Sequence, residues 1–141
     1  MSKFDLVPQK DKWGCGVACV ASLLGIDYAD AKSMLELEKG KSVNARPQGL
    51  ELHHIALALG KNGVEVVADW FPESFPVGTI ACIGGEAPYD GHHYLLQTPH
   101  GWMDPWFNLE PGKMEAGYHR VDFPPKGVDF LVALVPKRVI G

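Results

Sequence analysis

The chain has 141 residues, 46% of them hydrophobic and 21% charged, with a formal net charge of -4 at pH 7. That length fits a single domain burying about two-thirds of the surface its unfolded form exposes, and the composition excludes the low-hydrophobicity, high-charge signature of disorder. The basic residues are scattered over an acidic background, so nucleic acid is not an expected partner.

The longest apolar stretch, Val17 to Ile26, is interrupted by Ser22 and Gly25 and is about half the length a bilayer span needs, so no membrane partner is expected. The first twelve residues, MSKFDLVPQKDK, carry charges but no apolar core with a small-residue cleavage site, which makes the cytoplasm the expected compartment. Cys15, Cys19 and Cys82 make an odd count and cannot complete a disulfide framework. That count fits a reducing compartment or a free functional thiol.

In chain order, the polar segment from Gln9 gives way at Cys15 to small and apolar residues, with Gly14 and Gly16 on either side and Gly25 past the last leucine. This predicts a buried helix over Cys15 to Leu24, ended by a glycine in the C-terminal position. Asp27 and Asp30 predict the cap and acidic first turn of a second helix reaching Glu38, with Met34, Leu35 and Leu37 as its apolar members and Gly40 as its end. Leu52, Ile55, Ala56 and Leu59 share one face of a third helix, predicted over Leu50 to Leu59 and closed by Gly60.

Beyond Gly63 the apolar runs shorten, gain β-branched residues and are broken by proline and glycine. Strands are predicted at Val64 to Ala68, Thr79 to Ile83, His93 to Gln97, Trp102 to Asp104, Tyr118 to Phe123 and Phe130 to Val135. Helices first and strands afterwards predict an α+β domain, with the helices covering one side of an antiparallel sheet around one core.

Chemistry concentrates where the loop delivers Cys15 to the start of the first helix. Unpaired N–H groups and partial positive charge there favour thiolate over thiol. An acyl-transfer site also needs oxyanion donors, and the backbone N–H of Cys15 and the side-chain amide of Gln9 are candidates. A base must come from a distant, rigid element. His93 opens the Tyr94-Leu95-Leu96 strand, with His92 beside it as the alternative. Asp104, eleven residues after His93, ends the next strand, where its carboxylate can fix the tautomer of the imidazole.

The remaining cysteines and histidines have plainer readings. Cys19 is expected in the core and Cys82 inside a strand, while His53 and His54, adjacent on the third helix, are expected to diverge on the surface. The paired short Cys and His spacings of structural zinc sites are missing, so no metal is expected. Trp13 and Trp106 adjoin the proposed catalytic positions, and one of them is expected to wall the cleft or shield the His–Asp pair.

The pattern Gln-x5-Cys-Gly-x-x-Cys, the Gly49-Leu50 to Gly63 helical segment, then Gly-His-His-Tyr-Leu-Leu and Asp-Pro resembles the bacteriocin-processing peptidase-like domains over about residues 9–135. These are papain-like cysteine peptidases whose best-known members remove a leader after a double glycine. The resemblance implies a papain-like fold with Cys15 as nucleophile, Gln9 as oxyanion donor, His93 as base and Asp104 as its orienting acid. It implies a peptide or protein substrate and no cofactor. The expected activity is cleavage of a peptide or isopeptide bond through a thioester. An amidase, an acyltransferase or a non-catalytic peptide-binding domain are the alternatives.

Overall fold

The computed structural model describes residues 2–84, 92–110, 112–119 and 129–140. Three helices, α1 (Cys15–Leu24), α2 (Tyr28–Lys39) and α3 (Leu52–Lys61), precede six strands: β1 (Val66–Asp69), β2 (Ile80–Gly84), β3 (His93–Thr98), β4 (Gly101–Asp104), β5 (Gly117–His119) and β6 (Asp129–Pro136). The strands form one sheet in the order β1-β6-β2-β3-β4-β5, and every pairing is antiparallel. The α+β class expected from the order of the elements is therefore present.

Helix α1 has the predicted bounds. Its residues from Cys15 to Leu23 are all buried, so it is held by packing on every side. Gly25 ends it at φ 69°, and the Gly25 N–H caps the carbonyls at the end of the helix. In α2 the buried face is Tyr28, Ala31 and Leu35, whereas Leu37, expected as an apolar member, is 82% exposed because it falls off that 3,4 spacing. Asp27 occupies the capping position but its side chain makes no capping hydrogen bond.

Several boundaries differ from expectation. Helix α3 begins at Leu52 rather than Leu50, and it passes through Gly60 to Lys61 instead of stopping there. The turn belongs to Asn62 and to Gly63 at φ 84°, and the Val64 N–H closes it on the Leu59 carbonyl, which delays β1 to Val66. The strand expected over Tyr118 to Phe123 is seen only as β5, and residues 120–123 of that expectation lie outside the described residues.

The expectation of one core gives way to two, because both faces of the sheet are covered. The larger cluster lies between helices and sheet, where Val17, Val20, Leu35, Ile55 and Leu59 meet Ile80, Tyr94, Leu96, Met103 and Leu134. On the other face Ala81, Ile83, Leu95 and Trp102 are covered by Phe75, Leu109 and Phe130. Strand alternation explains the division: Tyr94 and Leu96 go to one face and Leu95 to the other. Among the described residues no helix is long and apolar enough to cross a membrane.

Candidate active site

The loop before α1 is built around Asp11. Its carboxylate accepts hydrogen bonds from the Tyr28 hydroxyl at 2.7 Å, Lys32 Nζ at 3.1 Å and Asn44 Nδ2 at 3.2 Å. Burial opposes its charge, but these bonds and the Lys32 charge outweigh that and hold the carboxyl below its ordinary value. The Asp11 carbonyl in turn accepts from the Gly14 N–H at 3.0 Å. Three side chains, two from α2 and one from the segment after it, thus fix the turn that presents Cys15.

Cys15 is the first residue of α1, where backbone N–H groups have no intrahelical acceptor. It is 8% exposed. Gly16 behind it is tightly packed, since a Cβ there would lie 3.2 Å from both Ile55 Cδ1 and Leu50 Cδ1.

His93 opens β3 opposite Ile83, close enough to Cys15 for the thiol to be among the groups that raise the affinity of the ring for a proton. On the other side its Nε2 lies 2.7 Å from Asp104 Oδ1, at the end of β4. Burial disfavours the imidazolium, but the hydrogen bonds to Asp104 and Cys15 and their charges outweigh it, so the His93 pKa is raised. Asp104 is fully buried. Burial there favours the neutral acid, yet hydrogen bonds from His119 and His93, the His93 charge and the Trp106 N–H hold its carboxyl well below the usual range. The Trp106 N–H donates to Oδ1 at 3.0 Å.

An ionised carboxylate only accepts, so His93 carries a proton on Nε2, which leaves Nδ1 as the nitrogen available to Cys15. Cys15, His93 and Asp104 are therefore brought together in series. His92, the alternative base, is exposed.

Gln9 is also buried and is tied to the acid's turn, its backbone N–H donating to the Pro105 carbonyl at 3.2 Å. Its side-chain Nε2 donates to the carbonyls of Asp11 and Lys12, both at 2.9 Å. Both amide hydrogens thus brace the loop, while Oε1 is buried with no hydrogen-bond partner among the described residues.

The structure adds His119, which lies within the strand expected over Tyr118 to Phe123 and was not among the candidate site residues. Its Nε2 lies 2.9 Å from Asp104 Oδ2. In β5 it stands opposite Trp102, two residues from Asp104 along β4 and therefore on the same face. The β4–β5 connection has no short turn motif to fix the register, so the sequence carried no signal for this pairing.

A cavity of about 780 Å³ opens beside Cys15. Leu50, Leu52 and Ala56 form one wall, and Val66, Val132 and Leu134 belong to its floor. Trp13 and Trp70 line it too, as expected for one tryptophan beside the nucleophile, whereas Trp102 is buried in the second core. His53 and His54 do not diverge as expected. Their rings lie 4.1 Å apart on the cavity rim, because His54 Nδ1 turns back to accept the Glu51 N–H at the helix start.

The other two thiols are poor nucleophiles. Burial, with the charges of Cys15 and Asp104, pushes Cys19 well up, and its sulfur donates to the Tyr94 carbonyl at 3.5 Å. Burial and the Cys15 charge push Cys82 up to about 12. All three cysteines are free. Among the described residues no group of three or more His, Cys, Asp or Glu is placed to hold a metal ion. No family model matches the chain, and no curated protein matches it.

Proposed function

We propose that the chain is a papain-like cysteine peptidase that cleaves a peptide or isopeptide bond through a thioester on Cys15. The observation that carries this reading is the series Cys15–His93–Asp104, with the sulfur at a helix start and the buried carboxylate 2.7 Å from the far nitrogen of the imidazole. The order Gln9, Cys15, His93, Asp104 and its likeness to bacteriocin-processing peptidase-like domains support it as well.

In the reaction, the Cys15 thiolate attacks the scissile carbonyl carbon, whose π pair moves onto oxygen. The Cys15 N–H and the Gln9 amide stabilise that oxyanion, Gln9 by exchanging one of its loop carbonyls for it. Collapse of the intermediate expels the amine, which takes the proton from His93 Nδ1. Water then gives a proton back to His93 and attacks the thioester, releasing the acid and restoring thiolate and imidazolium. Asp104 stays ionised throughout and stabilises the imidazolium.

The cavity walls beside the sulfur favour substrates with a bulky apolar group next to the scissile bond. Burying one such side chain is worth about 1.5–3 kcal/mol. The test is a peptide-library cleavage profile read by mass spectrometry, comparing the protein with Cys15→Ala. Cleavage beside apolar residues by the first and none by the second is expected. A library left intact by both contradicts the reading.

A further inference from the structure

Asp104 presents both of its oxygens to imidazoles. Oδ1 lies 2.7 Å from His93 Nε2 and Oδ2 lies 2.9 Å from His119 Nε2, with the carboxylate between them fully buried. A three-residue relay needs only the first of these contacts.

The second contact is itself supported by packing. The Phe107 ring lies against His119 with centroids 4.8 Å apart, and Phe107 is fixed by its backbone N–H, which donates to the Glu115 carbonyl at 2.7 Å. Room for that ring exists because residue 117 is glycine: a Cβ there would lie 2.7 Å from Phe107 Cγ. Gly117, Phe107 and His119 thus form a brace that ends on the carboxylate.

We propose that His119 is a positioning residue, donating its Nε2–H to Asp104 Oδ2 so that Oδ1 stays aimed at His93 and the imidazole stays aimed at Cys15. The inference rests on the Cys15–His93 reading above. Because the carboxylate is ionised, it accepts at both oxygens, and His119 must carry its proton on Nε2. Without that donor the carboxylate loses one of the two imidazoles that fix its plane, and it is freer to turn. The Trp106 N–H restrains only Oδ1. A base behind a nucleophile has to hold its geometry to within about half an ångström, so such a turn weakens the pair even though His119 never touches substrate.

The experiment compares His119→Gln, which keeps an N–H donor of similar reach, with His119→Met, which keeps the bulk and loses the donor. Two quantities are read on folded protein: the rate of iodoacetamide alkylation of Cys15 near pH 6, and the Nε2–H resonance of His93 in 15N-edited spectra. His119→Met should slow alkylation about tenfold, the low end of the loss found when an outer partner that orients a metal-bound ligand is removed, and broaden the His93 resonance. His119→Gln should restore both. A merely structural His119 would lower thermal stability and leave both readouts at the wild-type values, which overturns the proposal. Equal impairment of the Gln and Met variants overturns it too. Should the methionine variant not fold, the wild type decides: a His119 ring protonated only at Nδ1 is incompatible with donation to Oδ2. His93→Ala, run alongside, separates the two levels. If it leaves alkylation unchanged the Cys15–His93 reading itself fails, whereas a slow His93→Ala with a normal His119→Met overturns only this inference.

Discussion

The Tyr28 hydroxyl occupies the space that a side chain at residue 14 would need: a Cβ on Gly14 would lie 2.0 Å from Tyr28 Oη. Because that hydroxyl also bonds Asp11, the turn before the nucleophile is fixed from α2. Gly14→Ala should therefore displace the tyrosine and lower both stability and turnover. Tyr28→Phe keeps the ring and loses one hydrogen bond to a carboxylate, so it should cost about 1.5–3 kcal/mol in urea unfolding. A Gly14→Ala protein as stable and active as the wild type would show that the turn is not held this way.

Cys15→Ser should abolish cleavage with the fold intact, since oxygen replaces sulfur at little change in volume but gives no accessible anion. Cys19→Ser should keep activity, its hydroxyl replacing the thiol at the Tyr94 carbonyl. The opposite pattern in a cleavage assay would move the nucleophile one helical turn.

Gln9→Ala should lower kcat by a factor on the order of 10² to 10³ with little change in KM, the mark of a donor used in the transition state. In the resting structure the Gln9 amide is bonded to Asp11 and Lys12, so the same variant should also loosen the loop and lower the unfolding midpoint. A lower midpoint with unchanged kcat would leave Gln9 with the bracing role alone.

Stability should depend on pH through two groups of opposite sign. Asp104 has a lowered folded pKa, so its contribution is present above the unfolded value of about 3.9 and is lost as pH falls through the folded one. The His93 pKa is raised, so its contribution is complete below about 6.5 and is lost as pH rises through its folded value. Unfolding free energies measured between pH 3 and 10 should peak between these limits. Asp104→Asn should flatten both flanks, and a profile unchanged in that variant would contradict the pairing.

How far the sequence carried these conclusions varied with the range of the forces involved. Helix α1 was legible to the residue because its limits are local: a small-residue run begins at Cys15 and a left-handed glycine ends it at Gly25. Helix α3 was misjudged at both ends, since Leu50 is buried without being helical and Gly60 is carried inside the helix. The positions of His93 and Asp104 followed from hairpin logic, the short Thr98 to Gly101 turn forcing β3 and β4 side by side. His119 lay beyond that logic, because its place depends on a long connection whose register is set by Phe107 packing into the gap at Gly117. The divergence expected of His53 and His54 failed for a similar reason. A helix-start hydrogen bond redirected one ring toward the other.

The pairing of Cys15 with His93 is tested most directly by the rate of iodoacetamide alkylation near pH 6, with the modified cysteine located by mass spectrometry. The account predicts fast, stoichiometric labelling of Cys15 alone in the wild type, a large decrease in His93→Ala, and little change in His92→Ala, since His92 is exposed. Slow labelling of the wild type, or a loss in His92→Ala with His93→Ala unaffected, would contradict it.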